Sequence, residues 1–179
     1  MRIDKHTPMA DLLPLLNGDR LEYLLERVPA YPLEKPVLEM TVGEYIEALD
    51  KEWPLRFLKE RTVFKGLGRL KQYRKEMEDV AKFIEFHSVP MDAGEKAAMA
   101  GIDFPTAQEA ILLTCLHEFN CPCIDSVGRR ARRRGVRGAA DIPLAEYLLV
   151  LKEKASAAKY ERARAARMTA KMKQNGGRR

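Results

Sequence analysis

Apolar residues recur three and four apart along most of this chain, the spacing that puts them on one face of an α-helix. The first run, "TPMADLLPLL", opens with Thr7 as an N-cap and Pro8 at the first helical position, with Asp11 three residues on. Pro14 limits this helix to a short piece or kinks it. "GDRLEYLLERV" follows, with Leu21, Leu24, Leu25 and Val28 on one face. "YPLEKPVLEM" carries Pro32 and Pro36 and reads as an extended connector. In "MTVGEYIEALDKEW", Thr41 and Glu44 form a capping box, Tyr45, Ile46 and Leu49 form the apolar stripe, and Pro54 ends or bends the element. "WPLRFLKER" restarts it and is expected to bury Trp53, Leu55 and Leu58.

A longer helix is expected from about Leu67 to Phe86, with the stripe Leu70, Tyr73, Met77, Val80, Ala81 and Ile84. Asp92 with Glu95 and Thr106 with Glu109 predict two further N-termini. The second starts a strongly apolar helix through Ala107, Ala110, Ile111, Leu113, Thr114, Leu116 and Phe119, expected to be the most buried. After Asp141, a plausible N-cap before Pro143, some 30 residues of strong helix formers run without Gly or Pro. Their first half has an apolar stripe (Leu144, Tyr147, Leu148, Leu151), and their second half is alanine and basic residues. The first half should pack and the second should project. Period-two alternation is scarce, "RTVFKG" being the best strand candidate. The expected fold is therefore all-α. Its parts are a helical body over 1–125, an Arg/Gly-rich loop over 126–142, a long helix over 143–174 and a tail over 175–179.

Charge sharpens this division. Residues 121–179 hold 16 Lys and Arg against 5 acids, while the first 120 residues hold 16 against 21. A mildly acidic body followed by a strongly basic end points to nucleic acid or an acidic protein surface as partner. The densest stretch is "GRRARRRGVRG", with Arg129, Arg130, Arg132, Arg133, Arg134 and Arg137 as candidate contacts to phosphate or carboxylate. No aromatic residue is interleaved there, so base stacking is not expected. No apolar run approaches the roughly 20 residues that span a bilayer. Asp4 and Asp11 break the pattern of a secretory leader. The expected location is the cytoplasm.

Chemistry is thin by comparison. "CLHEFNCPC" gathers all three cysteines with His117. On a helix, however, Cys115 and His117 point about 200° apart and cannot share an ion. Cys115 is expected in the core, where a thiol behaves as a small hydrophobe. Cys121 and Cys123 flank Pro122 and could hold a metal only with ligands from elsewhere, so neither metal nor other cofactor is expected. "KGLGRLK" has two glycines but neither the third nor the preceding strand of a nucleotide loop. Glu76, Glu78 and Asp79 read as a solvated helix face. No catalytic motif and no small-molecule substrate follow from these residues.

In the order of its parts the chain resembles small helical morphogenesis proteins of tailed bacteriophages, of the tail assembly chaperone type. The stretches that carry the resemblance are "MTVGEYIEAL", "FPTAQEAILLTCLHEF" and "IPLAEYLLVLKEKASAAKYERAR", within residues 38–168. The resemblance implies a non-enzymatic protein that works in the host cytoplasm or the virion by binding other proteins. The run "GRRARRRG" departs from that family and leaves room for nucleic acid as the alternative partner.

Overall fold

A computed structural model describes residues 4–89, 111, 112, 114, 115, 118–121, 135 and 137–176. They are mostly helical, and no strand occurs among them; the only β-type pairings among them are two isolated bridges. The all-α expectation is correct.

Helix α1 (Met9–Leu12) starts one residue later than Thr7 as N-cap would place it. The Thr7 hydroxyl is committed elsewhere, accepting from the Asp4 N–H at 2.9 Å, and Pro8 is extended. Pro14 does end the α-helix, and Leu13–Leu15 continue as a 3-10 turn. Helix α2 (Gly18–Arg27) is capped by Asn17, whose side chain accepts from the Arg20 N–H. Leu24, Leu25 and Val28 are buried and Leu21 is half-buried, as the stripe predicts. Helix α3 (Val42–Ala48) has the expected capping box, with both the Thr41 and Glu44 halves formed. The Lys35 ammonium at the Glu44 carboxylate, aided by the Thr41 N–H, holds the Glu44 pKa below its ordinary value.

Trp53–Lys59 is a 3-10 helix, and this changes which side chains face inward. At three residues per turn, Pro54 and Phe57 share a face. Phe57 is buried while Leu55 is exposed, so of the expected Trp53, Leu55 and Leu58 stripe Leu55 is corrected and the other two are half-buried against the core. Phe57 and the half-buried Trp53 instead meet Tyr73, with centroids 5.4 and 4.9 Å apart.

Helix α4 (Val63–His87) is the spine of the body. It begins four residues earlier than expected and absorbs "RTVFKG", whose only β-type pairing is a bridge between Thr62 and Pro8. Val63, Leu67 and Leu70 continue the helical period, and all are buried, whereas Ala81 is exposed. Gly66 and Gly68 serve close packing. A Cβ on Gly66 would stand 2.6 Å from the Phe57 carbonyl oxygen, and one on Gly68 would stand 2.7 Å from that of Pro29. Glu76 is not simply solvated. Its carboxylate accepts from the Val37 N–H at 2.8 Å and from Gln72, tying the connector to α4. Arg69, almost fully buried, does the same further up, donating to the Pro32 carbonyl and to Glu34 and Glu60.

Residues 111, 112, 114, 115, 118 and 119 are helical, and Ile111 and Cys115 lie in the core. Asn120 at φ 44° closes this stretch in the left-handed region that ends helices. The predicted starts at Asp92 and Thr106 lie outside the described residues.

Helix α5 (Leu144–Gly176) leaves the body. Its base is clamped to α3: the Val42 N–H donates to the Ile142 carbonyl and the Leu144 N–H to the Met40 carbonyl, both at 2.8 Å. Asp141 stands three residues ahead of Leu144, the first residue of α5. Its carboxylate accepts from the Gly138 N–H and closes the short 3-10 turn Ala139–Asp141 ahead of it. Leu144, Tyr147, Leu148, Leu151 and Ala155 are buried on the core they share with α3 and α4.

Candidate functional site

The transition from packed to projecting helix falls within one turn of α5. Ala155 is its last buried residue. Lys154 pairs with Glu118 there, and the Lys159 ammonium stands 4.9 Å from the ring centre of Phe86 at the end of α4. From Ser156 to Gln174 every residue except Ala158 is exposed. At 1.5 Å per residue this arm is about 28 Å long. It carries Lys159, Arg162, Arg164, Arg167, Lys171 and Lys173 against the single acid Glu161. Arg164 approaches Glu161 only loosely, at 3.8 Å. Arg162, Arg167, Lys171 and Lys173 have no ion-pair partner among the described residues.

Of the arginines named from the sequence, Arg137 is described and lies beside the first turn of α5, at its packed end. Its guanidinium grips the Glu146 carboxylate with both prongs, at 2.6 and 3.3 Å. That fork holds the segment entering α5 against the first turn of the helix. Arg129, Arg130, Arg132, Arg133 and Arg134 lie outside the described residues. The arm's own six cations lie outside that cluster and are not among the contacts its density suggests. The signal that finds them is their phase around a helix with no apolar stripe of its own.

The cysteine cluster resolves in part. Cys115 is fully buried, and burial, with Cys121 adding to it, raises its thiol pKa to about 12. The Cys121 thiol donates weakly to the Cys115 carbonyl at 3.6 Å and is also raised, chiefly by burial. Neither is poised as a thiolate nucleophile. Cys123 and His117 lie outside the described residues. Among those described, no three His, Cys, Asp or Glu side chains come together as metal ligands. His87 ends α4 with its ring 4.2 Å from that of Phe83, and its buried Nδ1 has no hydrogen-bond partner in the described structure.

A cavity of about 280 Å³ opens between the 33–35 connector, the Trp53–Lys59 turn and α4. Its lining includes Glu34, Glu44, Glu60, Lys35 and Arg69, and these are paired with one another: Arg69 with Glu34 and Glu60, Lys35 with Glu44. The Trp53 ring is stacked with Tyr73 and has the Arg56 guanidinium over it at 4.3 Å. This is an ion-pair network that fastens the connector to the body. The comparisons with known proteins add no name to this geometry: no family model, no curated protein and no solved structure matches the chain.

Proposed function

We propose that this is a non-enzymatic interaction protein that docks in a larger assembly through its basic C-terminal arm. The observation that supports this most is the split character of α5. One half is packed into the core, and the other offers six cations to solvent. Past the Lys159–Phe86 contact at its start, the arm gains no core packing among the described residues, and such a helix is poorly stabilised alone. A ligand that presents negative charge along its length would supply what the body does not. The self-paired charges of the described cavity and the raised thiols favour binding over catalysis. A place in the morphogenesis of a tailed virus is the setting that the layout resemblance suggests.

The test is charge removal. With all six arm cations changed to glutamine, retention on immobilised heparin should be lost at a salt concentration where the native protein stays bound. The circular dichroism spectrum should not change. Equal retention of the two proteins would sink the proposal.

A further inference from the structure

The azimuth of the six arm cations narrows the partner. At 100° per residue they fall into two stripes. Arg164, Arg167 and Lys171 form one, and Lys159, Arg162 and Lys173 form the other. The stripes lie roughly 150° apart around the helix axis. The shorter arc between them is occupied by Ala163, Ala170 and Gln174, with Ala166 set among the cations of the second stripe. Glu161, the arm's one acid, lies on the opposite side with the exposed Met168 and Met172. The arm thus has a narrow, small-residue face walled by positive charge on both edges, with its carboxylate turned away.

We infer that this face lies in the major groove of a duplex nucleic acid. This rests on the docking reading above and names the partner of the same arm. A B-form major groove, about 12 Å wide, admits one α-helix and flanks it with two rows of phosphates. Two cationic edges separated by alanines match that arrangement, and alanine lets the backbone sit close to the groove floor. A protein helix packed on the same face would bury two alanine methyl groups. At about 25 cal/mol per Å² this is far less apolar area than one leucine-rich seam provides. Charge must therefore dominate, and a duplex offers it continuously on both sides. Phosphate contacts of this kind position a helix without reading sequence.

The test uses the full chain, the triple variants K159Q/R162Q/K173Q and R164Q/R167Q/K171Q, a labelled mixed-sequence DNA duplex, and poly-L-glutamate at matched charge. Affinities are measured between about 50 and 200 mM salt, the range over which phosphate contacts reveal themselves. Six contacts predict a log–log salt slope of about −5, and each triple variant should make it shallower by about 2.7. Both triples should weaken duplex binding at least tenfold, and poly-L-glutamate should bind the native chain at least tenfold more weakly than duplex. All six side chains are exposed and glutamine is a good helix former, so helicity should hold. A native slope shallower than about −2 would overturn the inference whatever the variants do. So would one triple that binds like the native chain, the mark of a flat partner meeting a single stripe. Binding of poly-L-glutamate as tight as that of duplex overturns the duplex assignment and leaves the docking reading standing. Binding of neither removes both.

Discussion

Individual residues make the fold specific where the apolar pattern alone would not. Gly68 is an example. An exposed helix glycine is improved by alanine by up to about 1 kcal/mol. Here the added methyl would press on the Pro29 carbonyl and the Tyr31 side chain. Gly68→Ala should instead destabilise by about 1–3 kcal/mol, the usual cost of overpacking, read as a lower urea midpoint. The two glycines of "KGLGRLK" were visible in the sequence, but their purpose was not, because it depends on segments 9 and more residues away that pack across them. Tyr73 is a second case. Its hydroxyl donates to the Ala48 carbonyl at the end of α3, and burial raises its pKa to about 12. Cys115 is raised to about 12 and Tyr147 is raised too, again chiefly by burial. Each of these groups is neutral when protonated, and each has a folded pKa above its ordinary value. Folding therefore holds the proton more tightly than the open chain does. Their contribution is complete below the ordinary values of 9.0 and 10.0 and is lost as pH climbs towards about 12. Stability should be flat from neutral pH to about pH 9 and then fall steeply. A flat urea midpoint to pH 12 would contradict the assigned burial.

Among the elements, α3 and the first half of α5 form the joint that aims the arm. The capping box of α3 was legible because it is local: Thr41 and Glu44 are three residues apart and need nothing else to form. Thr41→Ala should cost about 1 kcal/mol. The Glu44 half has a depressed pKa, so its support is present above its ordinary value of 4.5 and fades as pH falls below it. The melting temperature should therefore fall as pH drops below that value, and by a similar amount in Thr41→Ala, whose backbone N–H and Lys35 still hold the Glu44 carboxylate. The stripes of α2, α4 and α5 were also legible, since burial of one helical face follows the period. The Trp53–Lys59 turn was not. A 3-10 helix changes the period from 3.6 to three and so changes which residue faces in. Its choice between Leu55 and Phe57 was decided by Tyr73, some 16 residues further on. The early start of α4 was hidden for a similar reason, as Met9 and Phe57, distant in sequence, pack against its first turns at Gly66.

At the level of the whole molecule, the sequence showed an acidic body and a basic end, and the structure gives that division a shape. The charge-dense loop that first drew notice supplies one described contact, Arg137, and that side chain is engaged with Glu146. The helix beyond it carries the cations that face solvent. Their two-stripe order was present in the sequence but meant nothing until α5 proved continuous, with no buried residue described beyond Ala155. The central claim is that residues 156–176 bind and do not fold the body. It is tested most directly by ending the chain after Ala155. Urea unfolding of the shortened protein should give the midpoint of the full chain within error, since no core residue is removed, while binding to heparin and to duplex is abolished. A large fall in the midpoint, or undiminished binding by the shortened protein, would contradict the account.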